Sequence, residues 1–263
     1  MRRHDAFTLI ELLVVIAIIA LLMGILLPSL ARARGQAQKI VCAAHTKALG
    51  VSLRMYVDDY DGKTHNSPNE GLWDNAYEGG PIVREFGPHD GFAYWGIAYY
   101  PYAKNKRIFH CPGTRRTDDW PERGWGIMYQ PYFKYCSYGI NGYVASRKND
   151  DGTMHWVKID RDFRKHDETI VFQDHIEQKL DGISSDMFCI GPGASINLRQ
   201  WRPIREGGDG TLVDTYWVGY DTVGECFRHL GVSNTCWLDG HVSGIKKTTG
   251  ENVPTYWYTG IRP

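Results

Sequence analysis

Phe7-Thr8-Leu9-Ile10-Glu11-Leu12-Leu13-Val14-Val15-Ile16-Ala17-Ile18-Ile19-Ala20-Leu21-Leu22-Met23-Gly24-Ile25-Leu26-Leu27 decides how the rest of this chain is read. It is an apolar run carrying one charge, Glu11. A helix needs about 20 such residues to cross a bilayer, and the run supplies them. Arg2 and Arg3 precede it, so the positive-inside rule predicts a cytoplasmic N-terminus with everything after Leu27 outside. A carboxylate near the centre of such a span costs roughly 2.5–3.5 kcal/mol, which marks Glu11 as functional. Two plainer readings compete: a simple membrane anchor that tolerates Glu11, and a secretory signal cut after Ala31-Arg32-Ala33. Against the second, the apolar run exceeds the usual length and the helical pattern continues through that cut.

Beyond Pro28 the helical period resumes. Leu30, Ala33, Ala37, Ile40, Val41, Ala44, Ala48 and Val51 recur at three- and four-residue spacing, and Leu49, Leu53, Tyr56 and Tyr60 run beside them. One helix from about Phe7 to Tyr60 would be ~80 Å long at 1.5 Å per residue. Pro28 deletes one internal hydrogen bond, predicting a kink or local melting. Asp58-Asp59-Tyr60-Asp61-Gly62 stops the helix, with Gly62 as the breaker. An EF-hand register here would put its first acidic ligand at Val57, which excludes that loop and leaves a looser calcium site as the weaker reading.

The rest of the chain is rich in Gly, Tyr, Trp and Asn and reads as β-rich and loop-rich. Lysines plus arginines number 30, as do aspartates plus glutamates, so no basic field points to nucleic acid. Residues 63–91 read as loop. Trp95–Tyr102 reads as a short helix or strand, and Arg107–Pro112 as a strand entering a turn. Tyr135–Ile140, Thr169–Gln173 and Thr211–Asp221 read as strands, and residues 115–126 and 147–168 as surface loops or short helical turns. Asp239-Gly240 between two apolar-alternating runs signals a type I′ hairpin, pairing Ser233–Leu238 with His241–Ile245.

The opening segment Phe7-Thr8-Leu9-Ile10-Glu11-Leu12-Leu13-Val14-Val15-Ile16-Ala17-Ile18 resembles the processing and methylation segment of type IV pilins and type II secretion pseudopilins. The resemblance implies cleavage between Ala6 and Phe7 by a prepilin peptidase and methylation of the new amine at Phe7. Glu11 would pair with the N-terminal amine of a neighbouring subunit, and Pro28 would be the helix-kinking proline. Ala6 stands where the family carries Gly. Further along, His229, nine residues, then Asp239-Gly240 resembles the H-X9-DG domain that ends many large pilin-like proteins. Cys42 and Phe109-His110-Cys111-Pro112 resemble cysteine landmarks of the same group, which makes Cys42–Cys111 the favoured disulfide.

The expected fold is therefore α+β and pilin-like. Residues 1–6 are a leader, 7–27 the membrane or filament-core helix, 28–60 its amphipathic continuation, and 61–263 a periplasmic or extracellular head. The expected partners are the prepilin peptidase, other pilin or pseudopilin subunits, and the inner membrane. Polysaccharide or secreted cargo would follow if the Trp residues of the head form stacking platforms; the alternative is that they fill the core.

Six cysteines permit up to three bridges. Beyond Cys42–Cys111, Cys226–Cys236 could bracket His229, leaving Cys136 and Cys189; the other reading of these four is that they are free buried thiols. No cofactor is expected. A weak divalent-metal reading gathers His229, Asp239 and His241 with Asp174 or His175, by donor type alone. No nucleophile-elbow, metalloprotease or phosphate-loop motif suggests an enzyme.

Overall fold

The computed structural model describes residues 8–65, 95–114, 118–121, 131–145, 147–148, 154–155, 157–175, 224, 226–247, 253–254 and 256–260. One helix dominates. Helix α1 runs Leu9–Asp59, 51 residues, continuous through Pro28. The helix is retained there, although the proline leaves one carbonyl without its donor; Ser29 Oγ donates to the Leu26 carbonyl beside it at 2.8 Å. At the other end, Asp61 and Gly62 both take positive φ, and the Gly62 N–H bonds back to the Val57 carbonyl at 2.8 Å. That backbone geometry closes the helix as a Schellman-type stop, and Asp61 shares the breaking role with Gly62.

The head is an antiparallel sheet laid on the second half of α1. Its strands are β3 (Tyr138–Ile140), β6 (Ile170–Asp174), β7 (Val232–Trp237) and β8 (Val242–Lys246), in the order β3-β6-β7-β8. Two small pairs flank it: β1 (Asp118–Pro121) with β2 (Pro131–Cys136), and β4 (Arg147–Lys148) with β5 (Met154–His155). Helix α2 (Gly96–Ala103) covers the end of α1 and carries Tyr99 into the core. There Trp95 stacks on Phe172 at 5.0 Å and Tyr99 meets Tyr56 edge-on at 5.5 Å. These rings are core filling, each gaining area burial plus a directional ring contact.

The helix divides its apolar residues between two faces. Cys42, Leu49, Leu53, Tyr56 and Val57 are buried against the head. The stripe beside them stays bare: Ile40 is 67% exposed, Val51 48% and Met55 47%. Amphipathicity alone suggests one buried face. The structure uses the face from Cys42 through Leu49, Leu53, Tyr56 and Val57 for folding.

Several sequence expectations change. Arg107–Pro112 is not a strand: Lys106–Phe109 forms a 3-10 turn, because Asn105 Oδ1 accepts from the Arg107 N–H and starts a helical turn. Asp118–Pro121 is a strand where surface loop was expected. The Asp239-Gly240 turn is not type I′, since of the two only Gly240 has positive φ (+87°). The Gly240 N–H bonds Trp237 O at 2.8 Å and the Trp237 N–H bonds His241 O at 3.0 Å. This is a three-residue loop with glycine in the left-handed bulge position. A true two-residue turn with both central φ positive lies at Leu230-Gly231, +57° and +78°. The expected strand Thr211–Asp221 and residues 66–91 of the expected loop lie outside the described residues.

The β7–β8 hairpin reaches α1 at Gly50. A Cβ there would sit 2.5 Å from Cys236 Sγ, so glycine is required for this approach. Gly50→Ala is expected to destabilise the full chain by about 1–3 kcal/mol in detergent denaturation, the usual range for overpacking. Adding Cys236→Ala, which removes the clashing sulfur, should recover most of that loss.

Candidate functional site

Two regions carry chemistry, and α1 builds both. The first is its N-terminal end. Thr8 caps the helix: its hydroxyl accepts from the Glu11 N–H at 3.3 Å, and the Glu11 carboxylate accepts from the Thr8 N–H at 2.9 Å and its hydroxyl at 2.8 Å. This reciprocal pair is a capping box. It holds the Glu11 side chain folded back onto Thr8. Ala6 and Phe7, the expected cleavage pair, lie outside the described residues. From Leu9 to Leu30 no large apolar side chain is buried, and Leu9 is 77% exposed. This is the single helix among the described residues long and apolar enough to cross a membrane.

The second region is a clasp between α1 and the head. Cys42 on α1 is bonded to Cys111, across a sequence separation of 69. Two side chains on the same helix face hold the segment around Cys111. Gln38 Nε2 donates to Pro112 O at 3.0 Å, and the His45 ring donates to His110 O at 2.9 Å. From behind, Ser137 Oγ accepts from the Cys111 N–H at 2.6 Å.

His229 packs against this disulfide. Its Nε2 lies 3.2 Å from Cys111 Sγ and 3.5 Å from Asp174 Oδ2, and both side chains are buried. The Leu230-Gly231 turn folds His229 back alongside β7, with the His229 and Val232 backbones bonded reciprocally at 3.2 and 3.3 Å. Asp174 ends β6 opposite Tyr138, and its Oδ2 accepts from the Asn234 N–H at 2.7 Å. Burial and the nearby Asp174 charge push the Tyr138 hydroxyl well above its ordinary pKa, so it stays neutral. Arg228 bridges Thr114 Oγ1 and the Ser137 and His175 carbonyls.

The other end of the H-X9-DG motif also grips α1. Lys47 Nζ donates to the Gly240 carbonyl at 2.6 Å. Asp239 Oδ1 accepts from the His241 N–H at 2.9 Å and pairs with its ring at 2.7 Å. Burial opposes the charge on Asp239, but the His241 N–H and ring and Lys47 outweigh it, and its pKa is lowered. The nine residues between His229 and Asp239 are thus the turn and strand that connect two handholds on one helix.

This placement corrects the weak metal grouping. His229 and Asp174 do come together, but Asp239 and His241 sit at the exposed hairpin turn, paired with each other. The donors that join His229 and Asp174 are Cys42 and Cys111. His175, adjacent to Asp174, is engaged through its backbone: its N–H donates to Ser137 O at 3.1 Å and its carbonyl accepts from Arg228. Of the two readings for Cys226 and Cys236, the structure has buried thiols and no bond between them, with Cys236 Sγ lying against Gly50. Burial pushes the Cys236 thiol up to about 12, which Lys47 partly offsets and Asp239 reinforces. Cys189 lies outside the described residues, and Cys136 is described through its backbone alone.

A long bare apolar helix feeding a head built on an antiparallel sheet is a pilin-like α+β architecture. Residues 1–27 match the family described as Prokaryotic N-terminal methylation motif. A stretch of 66 residues is 44% identical to the type IV wide pilus major component PilA4 of Thermus thermophilus, covering 25% of this chain and 50% of that protein. The chain thus spans about half the length of the curated relative it matches. No solved structure matches it.

Removing the clasp has a calculable effect. Cys42→Ser with Cys111→Ser should lower stability by about 4 kcal/mol on the chain-entropy estimate for a loop this long, read by denaturant unfolding. Cys236 should resist iodoacetamide at pH 8 in the native chain and react fully after unfolding, as seen by mass spectrometry, because a thiol this basic holds its proton.

Proposed function

We propose that this chain is a structural subunit of a type IV pilus-like or type II secretion pseudopilus filament. In this reading a prepilin peptidase cuts between Ala6 and Phe7, and the mature chain assembles through α1. The observation that carries it is the bare apolar half of α1. Burying one Leu, Ile or Val side chain is worth roughly 1.5–3 kcal/mol. More than a dozen such side chains between Leu9 and Leu30 stand exposed. A helix of this kind needs either lipid or other helices around it. In the membrane the first solvent is lipid; in a filament it is the same segment of neighbouring subunits.

The exposed stripe of Ile40, Val41, Val51 and Met55 extends that surface past the membrane segment and onto the back of the head. It supports contacts between subunits beyond the hydrophobic core of the filament. The described aromatic rings favour a structural head over a stacking platform: Trp95, Tyr99, Phe109 and Phe172 are buried in its core. The work of the protein is packing, with no turnover.

Glu11 is the residue on which assembly turns. A carboxylate buried beside an amine is tolerable, whereas either charge left alone in an apolar interior costs several kcal/mol. Pairing with the amine of a neighbour therefore fixes the register between subunits. Glu11 also caps its own helix through Thr8, so a simple truncation would confuse two effects. Gln retains the capping contact and lacks the charge. Glu11→Gln is expected to leave membrane insertion and helix content unchanged and to reduce recovery of filaments, counted by electron microscopy of sheared or overexpressed material, at least tenfold. Normal filament yield from this variant would remove the charge pair from the mechanism.

A further inference from the structure

The clasp contains more donor chemistry than a disulfide needs. Cys42 Sγ, Cys111 Sγ, one Asp174 oxygen and one His229 nitrogen all lie within 4.8 Å of one another, and all four residues are buried. Two thiols, an imidazole and a carboxylate are the donor set that zinc takes in four-coordinate sites, at about 2.0–2.3 Å from the ion. From these we propose that, with Cys42 and Cys111 reduced, the chain holds one zinc-class divalent cation on Cys42, Cys111, Asp174 and His229. The disulfide and the metal are then alternative closures of the same clasp.

Supporting contacts are already in place around the donors. The Gly113 N–H points to Cys111 Sγ at 3.3 Å, a contact that stabilises a thiolate. A Cβ on Gly113 would meet His229 Cε1 at 3.0 Å, so glycine lets this loop lie against the imidazole. Asp174 Oδ2 is held by the Asn234 N–H, while Oδ1 has no hydrogen-bond partner among the described residues and is buried. A carboxylate held by one oxygen and fully desolvated is costly unless a cation faces it. Such outer contacts orient metal ligands and govern affinity. Opening the S–S bond lets the two sulfurs separate to a non-bonded distance, and the cation occupies the space between them, His229 and Asp174.

The exchange balances with a small-molecule disulfide as oxidant. Two zinc-bound thiolates give up two electrons and form the Cys42–Cys111 bond. The oxidant's S–S bond breaks, and its sulfurs take those electrons and two protons from solvent to leave as thiols. Zinc departs with its charge unchanged. While the pair is reduced, the cation would keep these two thiols masked from Cys226 and Cys236 until oxidation closes the clasp covalently.

The test uses the full chain, extracted in detergent, reduced with a phosphine under anaerobic conditions, supplied with zinc, desalted and analysed for bound metal. The expected result is one zinc per chain, replaced by cobalt with thiolate charge-transfer and tetrahedral d–d bands, and released when a disulfide oxidant is added. His229→Gln and Asp174→Asn should each weaken zinc at least tenfold in competition with a chelator. Cys236→Ser, a buried thiol outside the set, should leave it unchanged. A reduced chain without stoichiometric zinc would overturn the proposal. So would His229→Gln and Asp174→Asn variants that hold zinc as tightly as the parent, since the thiols alone would then be the site.

Discussion

One helix has to satisfy two solvents. The second half of α1 supplies one wall of the head's core, through Leu49, Leu53, Tyr56 and Val57. Its first half offers no side chain to that core at all. The sheet and the aromatic cluster of Trp95, Tyr99, Phe109 and Phe172 would have an open face without the helix. The head's stability is thus tied to the same element that would enter the membrane or filament. A force or displacement on the apolar half acts directly on the wall of the core.

That coupling explains where the strongest connections fall. Three consecutive turns on one face of α1, at Gln38, Cys42 and His45, hold residues 110–112 by two hydrogen bonds and a disulfide. Further along, Lys47 and Gly50 receive the β7–β8 hairpin. The His229 to Asp239-Gly240 motif spans both attachments. Its two ends are far apart in chemistry, one buried against sulfur and carboxylate and the other at an exposed turn. They share the task of fixing strand β7 along the helix. This reading gives the motif a mechanical role that follows from its contacts and needs no reaction.

How legible was this in the residues? The helix was, because an unbroken apolar run followed by three- and four-residue spacing admits little else. Which apolar stripe faces the head was not, since Ile40–Val51 and Leu49–Tyr56 are equally apolar and only the fold distinguishes them. The Asp-Gly signal located the hairpin but misassigned its geometry: both turn types use glycine, and Asp239 keeps negative φ. The true two-residue turn was concealed because Leu230 is a residue that avoids left-handed backbone. The Cys42–Cys111 pairing was suggested by resemblance, and the local pattern gave no route to it. Asp174 and Asn234 are 60 residues apart, so their contact, and hence the environment of His229, arises from sheet pairing that no local signal encodes.

The filament reading stands or falls on what happens before Phe7. The measurement that bears on it most directly is the intact mass of the chain recovered from membranes of cells with and without prepilin peptidase. A chain beginning at N-methylated Phe7 only when the peptidase is present is the expected result. A chain beginning at Arg34, or one left uncut in both strains, would contradict it.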